Sequence, residues 1–330
     1  MSRYIWNVYE KFRCIADRCP DSCCKGWIVD VDDASAEYYR KIEGPLGDRL
    51  RQVLKTENGA SFMELEEDDR CPMWRQDKLC EIQAQLGHDG LCRVCREYPR
   101  LIMDYGDFTE VGLELSCPEA ARLIFQGITA EYDPDYPAEE PEYDPDIMEI
   151  LGKSRWMLLN FWSRTDQSVP SALAITLMYA HQQQMIPGGN VPQALDIHKC
   201  LAMGERYAGE GDLQLLLDFF KEQEILTEEW KNRLYNPNPG KWDPKLRYFA
   251  EYLIRRYWLQ SVWDFDLVCR VKFILAACIL VNALGGDPVQ TAQLFSKEIE
   301  NDPDNREAIF DSAYSHPAFT DANLLGLLLN

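Results

Sequence analysis

Nine of the chain's 12 cysteines fall between Phe12 and Pro118: Cys14, Cys19, Cys23, Cys24, Cys71, Cys80, Cys92, Cys95 and Cys117. So many thiols in one third of a chain need either disulfides or metal to account for them, and the choice constrains everything else. The remaining three, Cys200, Cys269 and Cys278, sit in apolar helical sequence, where cysteine packs as a small hydrophobe. With 330 residues and 46% apolar side chains, the chain can bury a core without covalent staples. Its start, M-S-R-Y-I-W-N-V-Y-E-K-F, has no apolar signal core. A cytoplasmic chain is therefore expected, where thiols stay reduced and a cysteine cluster points to metal.

The longest apolar run, Leu267 to Leu284, contains Arg270 and Lys272, which predicts a buried core helix rather than a membrane span. The formal charge of −21 argues against nucleic-acid binding and suits a basic, lysine-bearing partner, although solubility alone accounts for such a charge. No nucleic acid and no membrane is the expectation.

The pattern predicts a mainly α protein. A small cysteine-rich metal-cluster domain with short strands (1–130) is followed by an all-α helical domain (147–330). Trp27 to Asp32 alternates apolar and acidic side chains as a half-buried strand does, and Phe108 to Leu115 reads as a second strand. Ala34 to Lys55 reads as helix interrupted near Gly44-Pro45. Between the two parts, 131–146 is half acidic, holds four prolines and no basic residue, and reads as a linker. Helices are then expected at 147–164, 170–186, 192–208, 212–223, 227–234, 244–260, 265–284, 288–300, 303–313 and 321–329. Thr227 is placed as an N-cap and Gly285-Gly286 as a stop.

Within the cysteine region, Cys14-x4-Cys19-x3-Cys23-Cys24 precedes Cys71-Pro72, Cys80, Cys92-x2-Cys95 and Cys117-Pro118. Iron–sulfur clusters take four thiolates from such spacings, often with proline after a ligand, whereas structural zinc prefers paired knuckles. One C-x2-C and a lone His88 in a G-H-D-G turn favour iron, with zinc as the alternative. Nine thiols exceed one four-ligand site, which leaves two sites or several packing thiols as the options. A metal that only staples this region is the plainer reading.

These residues resemble the flagellin lysine-N-methylase family, with a zinc- or iron-chelating cysteine-cluster domain at its N-terminus. The similar stretches are F-R-C-I-A-D-R-C-P-D-S-C-C-K-G-W (12–27), C-P-M-W (71–74), L-C-E-I-Q (79–83), L-C-R-V-C-R-E-Y-P-R (91–100) and L-S-C-P-E-A-A-R-L (115–123). F-S-K-E-I-E (295–300) is similar to a late helical motif of the same family. The resemblance implies an enzyme that methylates lysine side chains of flagellin or another lysine-rich protein, using S-adenosylmethionine and a [4Fe–4S] cluster. It draws the ligands from Cys14, Cys19, Cys23, Cys24, Cys71, Cys80, Cys95 and Cys117, with Cys92 left out.

Amine methylation needs the neutral amine, so a site must desolvate the lysine or offer a base. Aromatic faces suit both sulfonium and ammonium groups. Trp156-x5-Trp162 and Tyr248 to Trp263 are such clusters, although helical spacing makes them core first. No residue is singled out as the base. No G-x-G-x-x-G follows a strand, which argues against the doubly wound fold, and the C-x3-C-x2-C of reductive S-adenosylmethionine cleavage is missing. The rival reading is a non-catalytic metal-binding adaptor or carrier.

Overall fold

The computed structural model describes residues 2–134, 140–184, 193–209 and 211–329. It is mainly α, with its strands confined to the first 133 residues among those described. Seven strands are present among the described residues: β1 (Ser2–Trp6), β2 (Val29–Val31), β3 (Leu54–Glu57), β4 (Ala60–Met63), β5 (Arg100–Asp104), β6 (Phe108–Leu113) and β7 (Ala130–Asp133).

The strands form two sheets. One has the order β5-β6-β1-β7, with β1 parallel to β6 and the other pairs antiparallel. The second has the order β2-β4-β3 and is antiparallel. The two strands expected from sequence are present in shortened form, and Val29-Asp30-Val31 shows the buried–exposed–buried alternation that marked it. The Ala34 to Lys55 helix breaks at Gly44-Pro45 as expected, into Asp33–Lys41 and Gly44–Val53, but its last two residues already belong to β3.

Two hydrophobic clusters result. The smaller joins Val29, Val31, Tyr39, Leu50, Met63, Met73 and Ile82 with the thiols Cys71 and Cys92. The larger unites Trp6, Leu113, Leu115, Cys117 and Ile124 with the helices after residue 144. Gly112 makes the close sheet contact possible, since a Cβ there would lie 2.2 Å from the Trp6 ring. The acidic stretch 131–146 is ordered at both edges: β7 pairs with β1, and Pro145 opens the Pro145–Arg164 helix behind the Asp144 N-cap. Residues 135–139, from its middle, lie outside the described residues.

The helical part follows the expected punctuation. Thr227 caps the Glu228–Tyr235 helix by accepting from the Trp230 N–H, and Gly285, at φ 67°, ends the Leu267–Leu284 helix. The ends of the 170–186 and 192–208 expectations fall on 185–192, outside the described residues. Leu267–Leu284 is long and apolar enough to cross a membrane, yet 89% of it is buried inside the protein. Its Lys272 is matched by Asp321 at 3.1 Å and by the Ala313 carbonyl at 3.0 Å. Most of the aromatic clusters are core, as their spacing suggested: the Trp162 and Trp258 indoles donate to Thr176 and Ser154. Trp156 and Trp263, at 68% and 50% exposed, are the exceptions.

Candidate functional site: a thiol-lined cavity

The thiols are placed by turns and by the first residues of short helices. β1 runs through the Asn7–Lys11 helix into the Phe12–Gly26 loop. Cys14 lies in that loop, Cys19 follows the 3-10 turn Ala16–Arg18, and Cys23 and Cys24 form the bend after it. The Cys24 carbonyl accepts from the Cys71 N–H at 2.8 Å, which ties the first loop to the second. Cys80 opens the Glu81–Leu86 helix, Cys92 the Arg93–Glu97 helix and Cys117 the Pro118–Ile124 helix. The first loop and three short helices, four separate segments, thereby deliver thiols to one region.

A cavity of about 290 Å³ is lined by Cys14, Cys19, Cys23, Cys24, Cys80, Cys95 and Cys117. Seven of the eight cysteines expected as ligands share this space. Cys71, the eighth, is buried in the smaller core together with Cys92. All nine are free thiols. His88 is exposed, yet it too lines the cavity, with Arg13, Lys78, Arg96 and Arg100. That cationic lining stands out on a chain of charge −21. Sequence reasoning missed these arginines; their positions within the cysteine motifs were the available signal.

The thiol acidities differ because of their neighbours. Cys23 is lowered to about 7, chiefly because the Cys24 thiol donates to it, and Cys24 is correspondingly raised. Cys92 and Cys95 form a second such pair, with Cys92 lowered to about 7 by the Cys95 thiol and Cys95 raised. Burial pushes Cys71 up to about 11 and Cys117 up to about 12. Burial also raises Cys19 and Cys80. Within each pair, therefore, one thiol is the more acidic: Cys23 in the first and Cys92 in the second.

Among the described residues, no group of three or more His, Cys, Asp or Glu side chains stands in a metal-holding arrangement. The chemistry of the donor set nevertheless fits a thiophilic metal or cluster: soft sulfur ligands surround a space with a cationic lining, which offsets the negative charge of thiolate ligands.

The helical body grips this region through F-S-K-E-I-E. Ser296–Glu300 is a single π-helical turn following the Pro288–Phe295 helix, and all five residues are buried. The Lys297 ammonium donates to Asp21, in the loop between Cys19 and Cys23, at 3.0 and 3.1 Å, and it lies 5.5 Å from the Trp27 ring centre. Gly26, at φ +95°, lets the backbone turn beside the lysine stem, where a Cβ would stand 3.6 Å from Cε. Gln293 donates to Asp21 at 3.2 Å and to the Ser116 carbonyl at 2.6 Å, and Asn301 donates to the Ser116 hydroxyl at 2.9 Å. Gln293 and Lys297 are four positions apart and so share one helix face, from which both reach the thiol loops. Asp21, Gln293 and Lys297 were not anticipated individually, although the motif containing Lys297 was.

Fold and site together define a mainly α protein whose helical body holds a thiol-lined, cationic cavity at its N-terminal sheet. Comparison with known proteins adds a family likeness. A 131-residue stretch is 28% identical to a lysine-N-methylase of Salmonella typhimurium, covering 38% of this chain and 31% of that protein. A lysine-N-methylase of Salmonella choleraesuis is 28% identical over 130 residues, with the same coverages. The flagellar biosynthetic protein FliU of Salmonella muenchen is 28% identical over 130 residues, covering 38% of this chain and 73% of FliU. The resemblance to the flagellin lysine-N-methylases is thereby shown, across a match that spans under a third of each lysine-N-methylase's length. No family model matches the chain, and no solved structure is similar to it.

Proposed function

We propose that this chain is a protein lysine N-methyltransferase of the cytoplasm, acting on flagellin or a similar lysine-rich protein with S-adenosylmethionine as methyl donor. The observation that supports it most is the convergence of seven thiols from four segments on one cavity, in a chain whose relatives are named lysine-N-methylases. On this reading a [4Fe–4S] cluster is held by four of Cys14, Cys19, Cys23, Cys24, Cys71, Cys80, Cys95 and Cys117. When bound, such a cluster supplies an iron site or an electron that side chains lack.

The chain's own residues contribute in three ways. Arg13, Lys78, Arg96 and Arg100 line the cavity beside Asp21, and their positive charge would offset that of thiolate ligands. Lys297, Gln293 and Asn301 hold the Asp21 and Ser116 loops against the helical body, so the thiols keep their relative positions. The acidic surface draws a basic substrate by long-range attraction that salt weakens.

The test is transfer of labelled methyl groups from S-adenosylmethionine to flagellin, alongside iron, zinc and sulfide content of protein purified without oxygen. About four irons with matching sulfide, plus label on lysine, are expected. Full metal loading without transfer would favour the rival, a metal-binding adaptor.

A further inference from the structure

A second cavity, away from the thiols, has the makings of a ligand site. It measures about 650 Å³ and lies between one face of β1 and β6, at Tyr4, Phe108 and Glu110, and the Pro145–Arg164 and Leu246–Tyr257 helices. That is within the range of small-molecule pockets, roughly 300–1,000 Å³.

Its charged groups are unevenly satisfied. Arg155 is fully engaged, donating through both terminal nitrogens to Glu110 and from Nη1 to the Arg255 carbonyl at 3.2 Å. Arg255 is not. Its Nη2 donates to the Ile128 carbonyl at 3.0 Å, but its enclosed Nε has no partner among the described residues. Burial, and then the charge of Arg155, bring its guanidinium down to about 10, against the opposing pull of Glu251 and Glu110. Glu251, 8% exposed, stands 3.9 Å from Arg247 and also feels the Arg255 charge, and burial raises its carboxyl above the usual range. Trp156 lines the same cavity and is 68% exposed, whereas Trp6, Trp162, Trp230 and Trp258 are at most 1% exposed.

We propose that this cavity binds an adenine nucleoside carrying an amino-acid tail, the chemical class of the methyl donor. Arg255 takes the tail carboxylate, Glu251 its ammonium, and Trp156 stacks on the purine. The ligand must bring a single negative charge to Arg255, because a polyphosphate would be repelled by Glu251 close by. It must also bring a planar ring, since an indole left this open gains most by covering an aromatic face. The identity of the ligand rests on the methyl-transfer reading; the site itself rests on Arg255, Glu251 and Trp156.

The experiment is equilibrium dialysis of labelled S-adenosylhomocysteine, the unreactive product form, against the full-length, metal-loaded protein. Retention by the wild type is expected, weakened at least tenfold in Arg255→Met, Glu251→Gln and Trp156→Ala. Arg122→Met, whose parent pairs with Glu119 outside this cavity, should bind as the wild type does. Trp156→Ala alters an exposed side chain, so it stays folded and keeps the test valid if Arg255→Met does not. Quenching of tryptophan fluorescence on binding should shrink in Trp156→Phe. Equal affinity in all variants would overturn the site while leaving the methylase reading intact. Absence of retention by the wild type would also overturn it, and labelled-methyl transfer measured in parallel then reports separately on the methylase reading.

Discussion

Replacing Lys297 by Met tests how the helical body holds the thiol loops. Lys297 is 3% exposed, and Met preserves most of its apolar stem while deleting the ammonium. Asp21 would lose two contacts at 3.0 and 3.1 Å and keep two donors, the Ser22 N–H at 2.8 Å and Gln293 at 3.2 Å. Removing one partner of a fully buried pair costs about 3–5 kcal/mol. The Asp21 side chain is 34% exposed, so water can take up part of that loss, which places the pair term nearer 2 kcal/mol. Losing the cation above the Trp27 ring adds roughly 0.5–1 kcal/mol. The expected cost is therefore about 2–3 kcal/mol, read by urea unfolding of metal-free protein under reducing conditions. Lys297→Arg should recover part of it. A double-mutant cycle with Asp21→Asn should give a coupling of at least about 1 kcal/mol. A cost below about 0.5 kcal/mol, or additivity of the two changes, would refute the view that this ion pair clamps the loop.

Other outcomes follow from neighbouring groups. Glu300 is fully buried, with Arg256 at 3.4 Å and the Tyr257 hydroxyl donating at 2.9 Å; Arg256→Met should cost about 3–5 kcal/mol in the same assay. Glu298 is raised from 4.5 to about 7, chiefly by burial. The folded state holds that proton longer than the unfolded chain, so its contribution to stability is full below about 4.5 and is lost as pH rises to about 7. Glu298→Gln should flatten this part of the stability–pH curve. Phe273, 1% exposed and in ring contact with Tyr257, Phe295 and Phe310, should cost about 3–5 kcal/mol as Phe273→Ala. Iodoacetamide at neutral pH should label exposed Cys14 and Cys23 in metal-free protein well before buried Cys71, Cys92 and Cys117, by peptide mass mapping. Metal loading should slow labelling at Cys23; unchanged labelling would count against Cys23 as a ligand.

The sequence by itself determined those features that rest on local chemistry. The Thr227 cap, the glycine stop at Gly285, the break at Gly44-Pro45 and the alternating Val29-Asp30-Val31 strand each follow from backbone preference or periodicity within a few residues. Cysteine density marked the thiol region, and Arg270 and Lys272 marked the Leu267–Leu284 helix as core. Tertiary structure alone decided how these parts meet. Strand β1 carries no hairpin signal, because its partner β6 lies about a hundred residues away and pairs in parallel. Edge strands β5 and β7 are recruited by that pairing, so no local pattern announces them. Which thiols share the cavity, and that Cys71 and Cys92 instead pack in the smaller core, depends on how four separate segments dock. Lys297 against Asp21, 276 positions apart, and the half-satisfied Arg255 are set by packing between elements, which spacing along the chain does not encode.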